Sequence, residues 1–339
     1  MIVNKALIGV SSTYVKLLSL FPQNITLCFA YGSGVMKQSG QSTGKRNMID
    51  LVIAVEDPYK WHEQNILWNP HHYSSLRWFG HNFVASYQEN WGAKMYFNTL
   101  IKLPDSDTMI KYGVISRASL VTDLLDWNDL YVSGRLHKPV EILHKSSNTQ
   151  VRAALQQNLH SAVHASLLLL PESFTETDLY RAITGLSYGG DFRMIFGEDK
   201  NKIDNIVSPQ VESFRELYSP VLKSLQDYVE MSKDGQMCWQ DTSPGAKNFH
   251  LNQLPKVPQR AVVKQWNKDR GSRRHDTEDS LYALAHDPEC GHVVCDCLHH
   301  IVFASSARQS LKGILTAGLA KSVRYSSKKI VKMLKSTKL

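Results

Sequence analysis

The sequence predicts an α/β fold of the α+β type, with strands in its first part and mainly helices afterwards. Residues 25–31 and 49–55 alternate large apolar side chains with small or polar ones, which is the period of a strand with one buried face. From Val151 onward the pattern becomes helical, with a capped helix start at Thr175. We therefore expect a sheet domain followed by a helical one.

Length and composition are compatible with two domains. The chain has 339 residues, of which 42% are hydrophobic and 21% charged, as in ordinary globular proteins. We predict a first domain over residues 1–145, a helical domain over 146–235, a linker and helical region over 236–300, and a C-terminal helix over 301–339. No membrane-spanning helix is expected, because polar side chains interrupt the long uncharged stretches.

The most informative stretch is residues 25–55, in which a strand, a glycine turn and a second strand follow one another. Glycines at 32 and 34 let backbone amides approach a phosphate, and the hydroxyl of Ser33 adds a donor. Asp50 lies 17 residues after Ser33 and projects opposite the large aliphatic residues of its strand. This layout resembles the polymerase-β-type nucleotidyltransferases, which hold a nucleoside triphosphate on the turn and Mg²⁺ on the Asp.

The motif departs from that superfamily at the second carboxylate. Members usually carry another acid two residues after the first, and here Val52 occupies that position. Glu56 has the same parity as Asp50 but lies roughly 20 Å along the strand, too far to share an ion with it. A further metal ligand must come from elsewhere, and an ordinary hairpin turn beside a strand-edge Asp is the alternative interpretation.

Basic residues after this stretch suit a nucleotide site. Lys111 lies within a predicted strand, residues 109–116, where it either snorkels at a sheet edge or faces the cleft and meets a triphosphate. We favour the cleft, because the glycine turn points there. Leu120–Leu136 is predicted to be one amphipathic helix, and Arg135 and Lys138 at its end are two more candidate phosphate partners.

The helical half is interrupted by a glycine pair at residues 187–193. This segment is either a tight connection with a helix-capping Asp, or a loop that returns to the first domain and places Asp191 near the metal and Arg193 on a phosphate. Further along, residues 209–228 are predicted to form a helix. Residues 235–274 are polar, contain three prolines, and end in a charged stretch that is expected to be mobile.

Two other groups of side chains are assigned no site role. The aromatic residues after the second strand are predicted to lie in the core: Trp61, Trp68, Trp78 and Phe79. Five cysteines without disulfide-framework spacing fit a reducing compartment. A zinc site is disfavoured, because the spacing matches no common zinc module and closely spaced ligands on a helix point apart. The residues concerned are Cys290, Cys295, Cys297 and His299.

The basic character of the chain is concentrated in its tail. The net charge is +8, yet nine Lys and Arg and no acid follow Asp296, so the preceding residues carry a net charge of −1. From Leu315 onward, apolar and basic residues separate onto two sides of a helix, the pattern of a segment in a membrane interface. We predict binding to an anionic membrane surface through residues 308–338 and no nucleic-acid partner. The alternative is a helix packed on the body with a solvated basic side.

The N-terminal segment has the composition of a mitochondrial targeting signal. The first 49 residues contain five basic side chains and no acid. The glycine turn lies inside that window, so any cleaved portion must be short. The alternative that assumes less is a targeting signal in the predicted first helix, residues 11–21, that is not cleaved.

Several motifs together resemble the mitochondrial phosphatidate cytidylyltransferases of the translocator assembly and maintenance family. They include FAYGSGVMKQ, NMIDLVIAVEDPYKWH, IKYGVIS, GLSYGGDFRM and ARQSLKGILTAG, and they occur in the family's order from about Ser11 to Lys335. The resemblance implies a polymerase-β-type nucleotidyltransferase domain, a winged-helix-like second domain and a C-terminal membrane-binding helix. This family also lacks the second carboxylate, so Val52 is no departure from it.

The resemblance also implies a reaction and a location. CTP and phosphatidate would give CDP-diacylglycerol and pyrophosphate with Mg²⁺, on the way to cardiolipin, in a peripheral protein at the matrix face of the inner mitochondrial membrane. On this basis Ser33, Asp50 and Lys111 are the predicted catalytic residues, and Asp50 and Asp191 the predicted metal ligands. The predicted nucleotide-binding residues are Tyr31, Gly32, Ser33, Gly34, Lys111, Asp191 and Arg193. A non-catalytic membrane scaffold for protein import and a nucleotidyltransferase acting on RNA or protein are the alternatives.

Overall fold

A five-stranded mixed sheet forms the first part of the computed structural model. Its strands are β1 (Ile25–Tyr31), β2 (Ile49–Val55), β3 (Tyr96–Lys102), β4 (Met109–Ser116) and β5 (Glu141–His144), in the order β3-β4-β2-β1-β5. Strands β2 and β4 are parallel, and the other neighbours are antiparallel. The structure describes residues 14, 17–36, 48–104, 107–196, 201–232, 236–269 and 276–318.

The central strand β2 explains why the sheet is buried on both faces. Leu51 and Ile53 belong to one apolar cluster, while Val52 and Ala54 belong to a second cluster on the opposite face. Such a nearly continuous apolar run is typical of a strand covered on both sides. Asp50 is the only charged residue of the strand and shares the face of Val52, as the alternation predicted.

Helices α1 (Pro58–Trp68), α2 (His81–Asn90), α3 (Arg117–Asp126) and α4 (Ser133–Leu136) accompany the sheet, with a 3-10 segment, Ser75–Phe79, before α2. The prediction of one helix over Leu120–Leu136 is wrong, because Trp127 adopts a left-handed conformation that ends α3. The Asp123 carboxylate then accepts hydrogen bonds from the backbone amides of Asp129, Val132 and Ser133, and so fixes a loop before α4.

The second half is helical and contains a small antiparallel sheet. Its helices are α5 (Thr149–Leu167), α6 (Glu176–Gly185), α7 (Arg193–Phe196), α8 (Lys202–Val207), α9 (Val211–Lys223), α10 (Pro244–Asn252), α11 (Lys256–Asp269), α12 (Thr277–Ala285) and α13 (Cys290–Ala317). Strands β6 (Ser173–Thr175), β7 (Val229–Met231) and β8 (Met237–Gln240) pair in the order β6-β8-β7. The predicted cap at Thr175 is present as a reciprocal capping box with Asp178.

In two places the structure differs in detail from the predictions for this half. The helix predicted over residues 209–228 is present but covers only Val211–Lys223, and Val229 begins β7. The polar segment 235–274, which lies in the predicted linker and helical region, contains β8, α10 and α11. Its polar composition hides apolar residues that pack into the main core: Leu251, Leu254, Val262 and Trp266.

The aromatic residues after β2 divide between core and surface. Trp61 is buried as predicted, but the prediction is wrong for Trp68, Trp78 and Phe79, which are 57%, 77% and 69% exposed. Trp68 is the last residue of α1, and Trp78 and Phe79 end a 3-10 segment in which no residue is buried.

Helix α13 connects the two halves of the molecule. It contributes Val294, Leu298 and Val302 to the core of the helical half. Further along, the Gln309 side chain accepts a hydrogen bond from the Ala93 amide and donates one to the Met95 carbonyl, just before β3. Among the described residues, no helix combines the length and the apolar character needed to cross a bilayer.

Candidate active site at one end of the five-stranded sheet

The topology brings the glycine turn, Asp50 and Lys111 to the same end of the sheet. Antiparallel pairing of β1 with β2 sets Tyr31 opposite Asp50, and parallel pairing of β2 with β4 sets Asp50 opposite Lys111. Residues directly opposite each other project from the same face. Tyr31, Asp50 and Lys111 therefore form a row across three strands, immediately beside the turn that follows β1.

Gly32 and Gly34 are each required in the turn, for different structural reasons. Gly32 has φ +77°, a left-handed conformation that side chains disfavour, and a Cβ at this position would lie 3.6 Å from Oδ2 of Asp50. A Cβ on Gly34 would lie 2.2 Å from the Met48 carbonyl oxygen. The turn therefore packs directly against the start of β2, and the two parts of the predicted motif are in contact.

Helix α4 and the loop before it add a stacked cation to this end of the sheet. The Arg135 guanidinium lies 3.9 Å from the ring centroid of Tyr131 and 5.2 Å from that of Tyr31. Lys111 Nζ lies 4.6 Å from the centroid of Phe97, whose ring packs edge-on against Tyr131. In the register of β2 with β4, Lys111 lies opposite Asp50 on the same face of the sheet, and its contact with a triphosphate stays a prediction.

The pKa values of two tyrosines report the local potential. Burial disfavours ionisation of the Tyr131 hydroxyl, but the positive charges of Arg135, Arg193 and Lys111 outweigh it, so its pKa lies below the usual value. Burial raises the pKa of Tyr31, with Asp50 acting in the same direction and Arg135 and Lys111 opposing. The positive potential is therefore concentrated at Tyr131, where an anion would be stabilised.

The glycine-pair loop between α6 and α7 returns to the first part of the chain. Lys138 Nζ donates a 2.8 Å hydrogen bond to Ser187 Oγ, and a Cβ on Gly134 would lie 2.4 Å from Cβ of Ser187. On the other side, a Cβ on Gly190 would lie 2.3 Å from the His299 carbonyl oxygen in α13. The loop is thus held between α4 and α13.

Asp191 and Arg193 hold each other within that loop. Arg193 Nε lies 3.0 Å from Oδ1 and 3.1 Å from Oδ2 of Asp191, and the Arg193 amide donates to Oδ1 at 2.9 Å. Burial raises the pKa of the Asp191 carboxyl, but hydrogen bonds and charge from Arg193, with a further contribution from Arg135, leave it below its usual value. Asp191 thus accepts a hydrogen bond from the first amide of α7, and the loop also contacts Gly134 and Lys138 of the first part. The roles of Asp191 at a metal and of Arg193 at a phosphate stay predictions.

The available carboxylates fit a magnesium ion that shares its ligands with a nucleotide. Mg²⁺ in phosphate-transfer sites is typically bound by one or two carboxylates together with phosphate oxygens and water. Asp50 supplies one carboxylate beside the turn, and Asp191 would have to exchange its contact with Arg193 for the ion. Within the described residues, no cluster of three or more acidic, histidine or cysteine side chains offers a complete protein-only site.

Other charged and metal-like residues have contacts away from this cleft. Glu56 forms a bidentate ion pair with Arg117, at 2.6 and 2.8 Å. The Cys297 thiol donates to Gln265 of α11, whereas Cys295 lies 3.4 Å from His299 on its own helix. The thiols of α13 therefore face different neighbours.

Tyr131 is the site residue that sequence reasoning missed. It was absorbed into the single helix predicted over Leu120–Leu136, so nothing indicated that its ring would turn towards the glycine motif. The signal available in the sequence was the run Asp-Trp-Asn-Asp at residues 126–129, whose polar residues favour a turn over a helix interior.

These features define a mixed α/β protein with a cationic cleft, built around a glycine turn and one half-buried carboxylate at the end of the central strand, that suits a polyanionic ligand. Comparison with known proteins gives the family. The family model described as "Phosphatidate cytidylyltransferase, mitochondrial" matches residues 14–332. The chain belongs to this family.

Individual relatives agree over nearly the whole chain. Proteins named "Phosphatidate cytidylyltransferase, mitochondrial" from Danio rerio and Bos taurus are each 48% identical, over 322 and 321 residues, covering 94% of this chain and 94% of the relative. The Xenopus laevis protein of the same name is 46% identical over 330 residues, covering 97% of this chain and 96% of the relative. The predicted family is confirmed, and the similarity supports the catalytic interpretation rather than the scaffold.

Proposed function

We propose that this protein transfers CMP from CTP to phosphatidate, giving CDP-diacylglycerol and pyrophosphate for cardiolipin synthesis in mitochondria. Family membership supports the reaction, since the relatives carry its name. The structural observation that carries the assignment of the site is that Lys111 lies opposite Asp50, Arg135 lies 5.2 Å from the ring centroid of Tyr31, and the glycine turn packs against Asp50. A triphosphate needs this combination of concentrated positive charge and close backbone approach.

Each residue is assigned a role in binding. Gly32, Ser33 and Gly34 contact the β- and γ-phosphates, and Lys111 and Arg193 neutralise triphosphate charge. Arg135 adds a third cation held rigidly by its aromatic neighbours. Tyr31 forms the cleft wall beside Asp50.

Magnesium is the proposed cofactor, with Asp50 as its protein ligand and Asp191 as a second metal or nucleotide contact. When bound, the ion neutralises phosphate charge and aligns the phosphate oxygens. Since a single carboxylate leaves most coordination positions to phosphate oxygens and water, the nucleotide and the ion are expected to bind together.

The chemical step is an in-line displacement at phosphorus. A phosphate oxygen of phosphatidate forms a bond to the α-phosphorus of CTP, and the bond from that phosphorus to the bridging oxygen of pyrophosphate breaks. The attacking group is already an anion, so no general base is required. The work of the protein is to align the two phosphates and to neutralise their repulsion with Lys111, Arg135 and Arg193.

The proposed location is the matrix face of the inner mitochondrial membrane, as a peripheral protein. The relatives are named mitochondrial, which supports the organelle. The basic tail supports contact with anionic lipid. Arg308 lies 3.7 Å from Asp129 and Lys312 is buried, so lipid binding by the predicted segment 308–338 falls mainly to residues beyond 318.

A lipid-product assay tests the assignment. Purified full-length protein is incubated with phosphatidate, Mg²⁺ and each of the four nucleoside triphosphates, and only CTP is expected to give the lipid product. Asp50→Ala should lower CMP transfer by at least about 100-fold, because the ion and the triphosphate lose their anchor. Asp227→Ala, an exposed acid in the helical half, is the matched control, and circular dichroism checks the fold. Turnover retained in Asp50→Ala would remove Asp50 from the metal site.

A further inference from the structure

Four aromatic rings at intervals of four residues form a ladder that starts at Phe79, in the 3-10 segment before α2, and ends at Trp91, directly after α2. The centroids of Phe79 and Phe83 are 5.1 Å apart, those of Phe83 and Tyr87 5.9 Å, and those of Tyr87 and Trp91 6.2 Å. Residues four apart lie on one face of a helix. We call these four residues, together with Trp78, the aromatic ladder.

The ladder is not the core face of its helix. α2 already buries Val84, Ala85 and Gln88 against the body. In the ladder, by contrast, Tyr87 is half-buried, but the other four rings are exposed to solvent, with Trp78 77%, Phe79 69% and Trp91 62% exposed. A contiguous exposed aromatic surface of this kind marks a site of interaction rather than a chance apolar residue.

The end of α13 extends this surface. Ser74 Oγ donates a 3.2 Å hydrogen bond to the Leu315 carbonyl oxygen, and Lys312 Nζ donates to the Trp91 carbonyl at 2.7 Å while lying 5.3 Å from the centroid of Tyr87. The last turns of α13 also expose apolar side chains: Leu311, Ile314 and Leu315. The chain therefore leaves α13 beside the ladder, towards the seven basic residues that follow position 318.

The charges around the ladder select an anionic partner. Glu89 is the only acid between residues 67 and 91, and its carboxylate accepts hydrogen bonds from Ser116 and Ser119 of the body. The Arg77 guanidinium lies over the exposed Trp78 ring, 4.7 Å from its centroid. The surface thus combines exposed rings with positive charge, and its one acid is turned inwards.

We propose that the aromatic ladder and the end of α13 insert into the headgroup region of a bilayer containing phosphatidate. Tryptophan and tyrosine favour that depth because their rings are amphipathic, and nearby cations attract lipid phosphates. The proposal rests on the proposed function, which places the lipid substrate in a bilayer. A second copy of the chain fits less well, since pairing would bring two basic tails together.

The experiment uses the full chain and separates this surface from the basic tail. Flotation with phosphatidylcholine vesicles, with and without phosphatidate, is measured at low and high salt, because salt screens the tail but not apolar insertion. Trp78→Ser with Phe79→Ser should weaken high-salt binding by about tenfold. The matched control is Trp239→Ser with Tyr282→Ser, two aromatic residues exposed elsewhere. Both proteins should turn over dispersed short-chain phosphatidate at the wild-type rate.

Two further readouts keep the proposal falsifiable. Brominated lipids should quench wild-type tryptophan fluorescence, and since no Trp follows Trp266, binding by the tail alone would not produce this effect. Unchanged flotation of the ladder variant, or unquenched wild-type fluorescence, would overturn the proposal. So would a concentration-dependent dimer that the variant abolishes while vesicle binding persists. Failure of the wild type on short-chain phosphatidate would instead count against the proposed function.

Discussion

Arg135 shows how one side chain can carry charge into a cleft without being free to move. Its guanidinium is stacked over Tyr131, near Tyr31, and donates to the Tyr131 backbone carbonyl. Burial lowers the pKa of Arg135, but Tyr31 and Tyr131 raise it by more, so the guanidinium stays protonated. A cation fixed in this way needs no reorganisation when phosphate charge develops.

We therefore expect Arg135 substitutions to act on nucleotide binding. Arg135→Lys keeps the charge but loses the planar stacking, and should lower kcat/KM for CTP by about tenfold. Arg135→Gln should lower it further. Arg152→Gln, on an exposed face of α5, is the control. Steady-state kinetics with varied CTP provide the measurement, and a wild-type KM in Arg135→Gln would exclude Arg135 from the triphosphate site.

At the scale of elements, the sequence predicted those parts whose period is unbroken. Strands β1, β2 and β4 follow the alternation of their side chains, and the pairing of β1 with β2 brings the glycine turn to Asp50. The polar run at residues 126–129 favours a turn, but the path of the loop before α4 was not predictable, because it depends on the Asp123 carboxylate binding three amides up to ten residues away. Tyr131 enters the cleft only through that loop.

The prediction that the aromatic residues after β2 are buried was wrong for a different reason. Trp78 and Phe79 look like core residues by composition, and only the positions of α2 and α13 reveal that they face outwards. The helices within residues 235–274 were missed for the opposite reason. Their buried apolar residues are few, and the many polar residues around them made the segment look unlike a packed region. The composition of a segment does not show which of its residues lie on a buried face and which on an exposed face, and in both segments these two faces differ.

The tail provides a prediction at the same scale. Removing residues 319–339 deletes seven basic residues and no acid. Flotation with anionic vesicles should fall strongly at low salt, since each lysine or arginine near such a surface contributes on the order of 1 kcal/mol. At high salt the deletion should have little effect on flotation, because salt already screens the attraction between the basic residues and the anionic surface. Turnover of dispersed short-chain phosphatidate is the control, and unchanged low-salt flotation would exclude the tail as an electrostatic anchor.

The whole molecule is expected to be sensitive to acid. Burial lowers the pKa of four histidines: His62 and His250 to about 4, and His137 and His164 to about 3. Folding keeps these rings neutral, so their contribution is complete above an unfolded pKa of about 6.5 and is lost as pH falls below it. Asp129 acts oppositely, since burial raises its pKa to about 6.

Urea unfolding at pH 7 and pH 5.5 tests this expectation. The free energy of unfolding should fall by on the order of 1 kcal/mol per buried histidine, with Asp129 offsetting about one of the four. His164→Gln should reduce the difference between the two pH values, because it removes one ring of the His164–His250 pair. His300→Gln, at an exposed position, should not. Equal stability at both pH values would contradict this, because it would mean that these rings take up protons as readily in the folded protein as in the unfolded chain.

Helix α13 has 28 residues and is therefore about 42 Å long. At His299 it abuts the loop that carries Asp191 and Arg193, and at Lys312 it is fastened beside Tyr87 and Trp91. These two attachment points are 13 residues apart, or about 20 Å along a stiff rod. The loop that carries Asp191 and Arg193 is therefore held at a fixed distance from the end of α13, so a surface that binds the aromatic ladder would also fix the orientation of that loop.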